Sequence, residues 1–565
     1  MENSCESSEL NLEDADSIKD TYTGEAAFLY STKINGGVDV ASVCEVLVSS
    51  RVFSFALSSG GQIFFKSDGR LKSQQLDVEA TLTGKGLEVG GVEAFLKSGL
   101  EASTVYSFHK ALNLLLSDKK LFNSEFGFPA ESARIFMRPI AIKSEGDECH
   151  EFIVPYFKIY EGGVISIVFS SVLGFDRLSV SELIDLEVNR SNRNIRSFFC
   201  ERELYQACVE CQISQVSFRE RLAHRKQYEA MINSALRAPK EVEFVDEKLT
   251  VYELIGSEKF TISDMARNLL SVVARAVTTG GVKARINWYG AQYRDESSGE
   301  YWQGKPIIYI KSHTRQKFNS VDNWAAHRVL VSSVMARACL GSGLDHSLLV
   351  SNDLRGFNDF NNFYSESASL LLASADVERQ LEGLESFTFD NLTSDAQVLN
   401  EVAHMIQIFY SYMSIDVDSA ESATDVARLE LKVLRFEESL RSAHKYGEVA
   451  NYIEAVRSGG HFATVEKLLR KKIAIVRKAL ELDAGISSES YSRRIVIIFG
   501  FIASAVLSPE LIQPVMEYFK VAPQDGSLKK ILGIAVSVIA VAGFLISVNY
   551  VFKLKDWVVN LLKVR

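Results

Sequence analysis

Ile531–Val551 reads ILGIAVSVIAVAGFLISVNYV, a run of 21 residues without a charge. At 1.5 Å per residue a helix over it is about 31 Å long, which matches the hydrocarbon core of a bilayer. The run before it, Ile495–Leu507 (IVIIFGFIASAVL), is 13 residues and reaches full thickness only by continuing through Pro509, Glu510 and Pro514, which implies a kink. Together the two runs predict a C-terminal transmembrane hairpin over residues 491–552. Basic residues crowd the approach to the first run (Arg470, Lys471, Lys472, Arg477, Lys478, Arg493, Arg494) and the tail after the second (Lys553, Lys555, Lys563, Arg565). By the positive-inside rule both termini are then cytoplasmic, in a multi-pass protein of the inner membrane. The tail 553–565 interleaves lysines with Trp557, Leu561 and Leu562, the pattern of an amphipathic helix lying on the lipid surface.

Small and polar residues in the hairpin define its candidate contact face. Gly500, Ser504 and Ser508 recur every fourth position, and Gly533 and Ser537 repeat the spacing once. With Glu510, Gln513 and Asn549 they are the candidate pore or helix-packing residues, because a polar group in lipid is costly unless paired or wet. A homo-oligomer with the bilayer as its partner is the expected arrangement.

Working outward, residues 1–20 carry seven acidic groups and one Lys and read as a solvated acidic tail, neither a signal nor a transit peptide. Residues 21–178 alternate strand-like runs (AAFLYSTKI, VFSFALSSGGQIFFKS, YFKIYEGGVISIVFS) with turns at Gly60-Gly61 and Gly162-Gly163, interrupted by a helix over Val105–Leu116. Residues 179–238 read as helical from a cap at Ser179 or Ser181, and 239–345 as a second mixed unit with strands LTVYELI, KARINWYG and KPIIYIKS and a helix closed by Gly280-Gly281. Residues 346–490 read as a helical stalk, with apolar seams at Val426, Leu429, Val433, Phe436 and Leu440 and at Val465, Leu469, Ile473, Val476 and Leu480. The fold class predicted is therefore an α+β cytosolic N-terminal region, a helical stalk and a two-helix membrane hairpin.

That layout resembles the CorA-type divalent cation channels and their divergent relatives, which join a mixed cytosolic domain to a helical stalk, two C-terminal spans and a basic tail, here FKLKDW. The family's Gly-Met-Asn triplet is absent, its nearest counterpart being Val515-Met516-Glu517. The resemblance implies an ion channel or a membrane effector of prokaryotic antiviral defence, without carrying over ion selectivity.

Composition excludes several classes. The 565 residues hold 62 Lys and Arg against 72 Asp and Glu, a formal net charge of −10, which argues against bulk nucleic-acid binding. Seven Cys without paired spacing exclude a disulfide scaffold. Cys208-Val-Glu-Cys211, with Cys200 and His224, lacks the second pair a zinc site needs and reads as buried thiols. No Walker loop, dinucleotide fingerprint, Gly-x-Ser-x-Gly elbow or His-Glu-x-x-His is present, so no catalytic residue, metal or cofactor is assigned. Two basic clusters are candidate anion sites for a small anionic or nucleotide ligand. Arg190, Arg193 and Arg196 recur at helical spacing, and Lys311, His313, Arg315 and Lys317 lie between a strand and a helix. The group Asp322-Asn323-Trp324 with His327 and Arg328 carries no assignment. The function expected is a membrane-anchored sensor or effector whose hairpin forms a pore, the alternatives being a tethered scaffold and a tethered enzyme.

Overall fold

A computed structural model describes residues 20–34, 37–78, 101–122, 130–144, 150–255, 260–282, 304–338, 360–382, 389–442 and 447–482, with a few short gaps inside these ranges and some isolated positions. The chain divides into two compact units, one of residues 1–419 and 428–472 and one of residues 420–427 and 473–565. The fold and the site belong to the first.

Its centre, among the described residues, is a sheet of eleven strands. Along the chain these are β1 (Thr21–Lys33), β2 (Phe53–Ser58), β3 (Gln62–Ser67), β4 (Arg70–Gln75), then, after the two-residue pair β5 (Asp77–Val78) and β6 (Val89–Gly90), β7 (Ser132–Met137). A second, five-stranded sheet takes β8 (Ile140–Ser144) and β9 (Glu151–Ile153), and the large sheet resumes with β10 (Tyr156–Tyr160), β11 (Val164–Ser170) and β12 (Phe175–Ser179). β13 (Ile195–Cys200), β14 (Lys240–Phe244) and β15 (Glu247–Ile255) complete the small sheet; β16 (Lys305–His313), β17 (Phe360–Tyr364) and β18 (Ser369–Ala373) complete the large one. The large sheet runs β17-β18-β16-β1-β11-β10-β7-β2-β3-β4, with β12 also pairing β1, and is antiparallel except for β16 against β18. Gly61 and Gly163, with φ of 87° and 81°, make the hairpin turns that the Gly-Gly pairs predict. At Gly24 the β1–β16 register shifts, and a Cβ there would lie 1.9 Å from the Tyr309 carbonyl oxygen, so only glycine admits this approach.

Alternation along β1 sets the two faces of the sheet. Phe28 and Tyr30 join the apolar core, with Ile135, Phe157, Ile167 and Ile308 from neighbouring strands. That face is covered by helices α1 (Val40–Val48), α4 (Arg202–Gln215), α7 (Ile262–Thr279) and α9 (Arg328–Ala336). α7 starts on a capping box, Thr261 with Asp264, and stops at Gly280 in the left-handed region, as the sequence anticipates. The opposite face carries Ser31, Lys33, Lys158 and Arg134, which meet α2 (Ala102–Leu121) and the 30-residue α11 (Phe389–Asp418). The remaining helices are α3 (Val180–Leu183), α5 (Phe218–Ala223), α6 (Arg225–Arg237), α8 (Ser320–Ala326), α10 (Ala375–Glu382), α12 (Ala423–Ser442) and α13 (Gly447–Ser458).

The expected membrane hairpin is corrected. Among the described residues no helix is long and apolar enough to cross a membrane, which does not support the hairpin in the fold class and does not fit the multi-pass inner-membrane placement. What stands is an α/β region with further helices. Gly500, Ser504, Ser508, Glu510, Gln513, Gly533, Ser537 and Asn549 lie outside the described residues, as do residues 1–19, the KARINWYG stretch and the tail 553–565. The physical reason is that the length of an uncharged run is compatible with a bilayer without requiring one. The longest described helix, α11, buries Asn400, Glu401, His404 and Gln407 along its middle, a pattern suited to a polar sheet face and not to lipid. Two further differences concern the middle of the chain. β13 falls in the stretch read as helical over 179–238, and β17 and β18 fall in the stretch read as a stalk over 346–490. Both place short, mostly buried strands (IRSFFC, FNNFY and SLLLA) in stretches read as helix; runs of five or six residues are too short for their period to tell strand from helix.

Candidate functional site

Between β7 and β8 the chain leaves one sheet for the other, and Arg138 stands at the crossing. Its backbone N–H is bonded to the Val52 carbonyl at 3.2 Å, which fixes it beside the end of α1. Here a cleft of about 990 Å³ opens among β2, β3, β15 and the first turns of α2 and α4. Its cations are Arg51, Lys66, Arg138 and Arg202; its carboxylates are Glu101, Glu201 and Glu203. Phe53 and Phe65 form an apolar wall, and Tyr252 is half-buried on the β15 side.

The carboxylates organise this charge. Glu101 Oε1 accepts from Arg138 Nη2 at 2.7 Å, and Glu201 accepts from Arg138 Nη1 in a closer contact. Burial works against the guanidinium's charge, but Glu201 and Glu101 outweigh it and raise its pKa. For Glu201 the balance runs the other way: burial raises its pKa more than Arg138 lowers it. Glu203 Oε2 accepts from the Arg51 backbone N–H at 2.9 Å, and the Lys66 ammonium is held by the Ser49 carbonyl. The helix dipoles of α2 and α4 place partial positive charge at the same opening.

The predicted anion clusters are arranged differently. Arg190 is buried in a 3₁₀ turn, ion-paired to Glu151 and 3.5 Å from Glu187; Arg193 ends that turn half-buried, and Arg196 is exposed on β13. They share no helix face, because the segment is a π turn, a 3₁₀ turn and a strand in succession, so the expected alignment is corrected. Burial raises the Glu187 carboxyl to about 7, with Arg193 opposing. In the second cluster Lys311 is exposed on β16, 5.8 Å from the Phe389 ring centre, and Lys317 is exposed. Arg315 is held by Asp20 at 2.5–2.9 Å, so its charge is already matched.

His313 is drawn instead into a group that the sequence left unassigned. Its ring centre lies 4.1 Å from that of His327, whose Nδ1 is 2.9 Å from the Tyr22 hydroxyl. Burial and the neighbouring His327 push His313 down to about 3, and burial also lowers His327, so both rings are neutral. Asn323 sits beside them, bonding the Lys317 N–H and the Ala373 carbonyl, and ties the loop after β16 to the end of β18. The pair is thus built in at the end of β16, inside the sheet, and the basic cluster does not converge on a common anion.

A second polar system runs between the large sheet and helices α2 and α11. Glu401 accepts from Arg134 Nη2 at 2.6 Å, Tyr156 Oη at 2.5 Å and Lys158 Nζ at 3.0 Å; Asp118 accepts from Lys158 at 3.1 Å and pairs with Arg134. Two cations and two carboxylates close on one another here, all buried. Sequence inspection missed this seam, whose members lie on four separate elements. Cys200, Cys208 and Cys211 are buried, and burial chiefly raises the pKa values of Cys200 and Cys208. Among the described residues no group of three or more His, Cys, Asp or Glu is placed to hold a metal.

Comparison with protein-family models, with characterised proteins and with solved structures finds no match to this chain.

Proposed function

We propose that this protein binds a small phosphate-bearing ligand in the cleft around Arg138 and acts as a ligand-sensing protein. The observation that carries the reading is the convergence of Arg51, Lys66, Arg138 and Arg202 with the N-terminal ends of two helices on one cleft. Its volume, about 990 Å³, is at the upper end of ordinary small-molecule sites. Arginine forks and helix N-termini both favour phosphate oxygens, and the Tyr252 ring at the rim offers a face on which a base can stack.

Calorimetric titration of the full chain with ATP, inorganic pyrophosphate, inorganic phosphate and citrate tests this. Saturable binding of a phosphate compound is expected, weakening as salt screens the cations, and Arg51→Ala combined with Arg202→Ala should weaken it at least about tenfold. Absence of saturable binding of every phosphate probe at millimolar concentration, or binding unaltered in the double variant, overturns the reading.

A further inference from the structure

Glutamate is a poor helix N-cap, since Ser, Thr, Asp and Asn carry the short oxygen that reaches first-turn amides. Yet α2 and α4 each begin on one, Glu101 and Glu201, and neither side chain caps its helix. In α2 the job passes to Glu247, whose Oε2 accepts from the Ser103 N–H at 3.3 Å and its hydroxyl at 2.9 Å. Both N-cap carboxylates turn to the same guanidinium, Arg138, and all three line the cleft. Arg138 is 27 % exposed and Glu201 20 %, against 5 % for Arg134 in the sealed seam, so the trio is open to a competing solute where the seam is not.

We infer that Arg138 is the phosphate-recognition residue of the cleft and that Glu101 and Glu201 are built-in competitors, which a phosphate-bearing ligand displaces. The inference rests on the reading that the cleft binds such a ligand. A phosphate presents up to three oxygens and nearly two negative charges to a guanidinium that a carboxylate engages with one. It also meets the positive end of α4, which carries no side-chain cap, and approaches that of α2 beside the Glu247 carboxylate. While the carboxylates hold Arg138, the binding-competent fraction of the protein is reduced and its apparent affinity falls by that fraction. The clamp therefore sets the ligand concentration at which the protein responds.

Glu201→Gln and Glu101→Gln keep the shape of each competitor and remove its charge. Titrated with pyrophosphate and with ATP, each is expected to bind about three- to tenfold more tightly than the wild type, while Arg138→Ala loses binding. A gain in affinity cannot come from a misfolded variant, so the Gln variants decide the matter even if Arg138→Ala does not fold. Equal tightening for both probes places the recognition on the phosphates; tightening for ATP alone adds the base. If the wild type binds and the Gln variants bind no more tightly, the competitor role is overturned while the cleft reading survives. If neither wild type nor variants bind, both fail together.

Discussion

Replacing Glu401 with Gln probes the seam at its most connected point. The carboxylate is fully buried and takes three charged or hydroxyl partners: Arg134, Lys158 and Tyr156. Burial alone raises a carboxyl pKa, but Arg134 and Lys158, aided by hydrogen bonds from Arg134 and Tyr156, bring Glu401 from 4.5 down to about 2. That displacement corresponds to about 3 kcal/mol of preference for the ionised form in the folded state. Because the folded value is the lower one, the stabilisation is present in full above about pH 4.5 and is lost as pH falls toward 2. Glu401→Gln leaves Arg134 and Lys158 sharing Asp118, with one positive charge uncompensated in a sealed layer, so the expected cost is about 3–5 kcal/mol. Urea unfolding followed by circular dichroism at pH 7 and pH 3 measures both parts. The wild type should lose stability between the two pH values and the variant should lose less, because position 401 no longer carries a carboxyl to protonate while Asp118 remains. Glu401→Leu combined with Lys158→Met, which removes one charge of each sign, should cost less than Glu401→Gln alone. A cost under about 1 kcal/mol for Glu401→Gln, with the acid sensitivity unchanged, would refute the claim that this carboxylate is held ionised by the seam.

Lys305 gives the opposite sign: its side-chain nitrogen is buried without a hydrogen bond among the described residues, 3.4 Å from the Tyr364 ring centre, and burial lowers its pKa well below 10.5. Lys305→Met should stabilise the fold by about 1–3 kcal/mol at neutral pH. It should also flatten the rise in wild-type stability toward pH 10.5 that follows from the unfolded chain binding the extra proton, as read by urea midpoints across that range. At the β1 bulge, Gly24→Ala would press a methyl against the Tyr309 carbonyl and should cost about 1–3 kcal/mol, with faster amide exchange in β1 and β16. Thr261→Ala removes the capping box of α7 and should lower stability by about 1 kcal/mol in the same unfolding assay.

Local rules wrote much of the sheet legibly into the sequence. Gly-Gly pairs marked the turns β2–β3 and β10–β11 because only a residue without Cβ turns there cheaply, and Gly280 marked the end of α7 for the same reason. Period-three seams on α12 held at Val433 and Leu440, which are buried. Where local evidence is ambiguous the reading failed. NRSNRNIRS has the spacing of a helix face, but its backbone passes through two kinds of turn into β13, and spacing alone cannot reveal that. Composition likewise gave no warning of the strands β17 and β18, each five residues long and mostly buried.

The cleft and the seam were illegible for a different reason, which also separates their roles. Arg134 and Glu401 are 267 positions apart, and Arg138, Glu101 and Glu201 come from a sheet crossing and two helix starts, so neither system leaves a motif. Both are built from arginine and carboxylates, and the difference lies in closure. In the seam two cations and two carboxylates pair with one another in a buried layer that joins α2 and α11 to the sheet. In the cleft four cations face three carboxylates, the matched trio is part-exposed, and the helix ends remain uncapped by their own N-cap residues. A surplus of positive potential facing solvent is what a closed structural network avoids and an anion site requires. That contrast within one unit is why the ligand is assigned to Arg138 and not to the more strongly perturbed groups around Glu401.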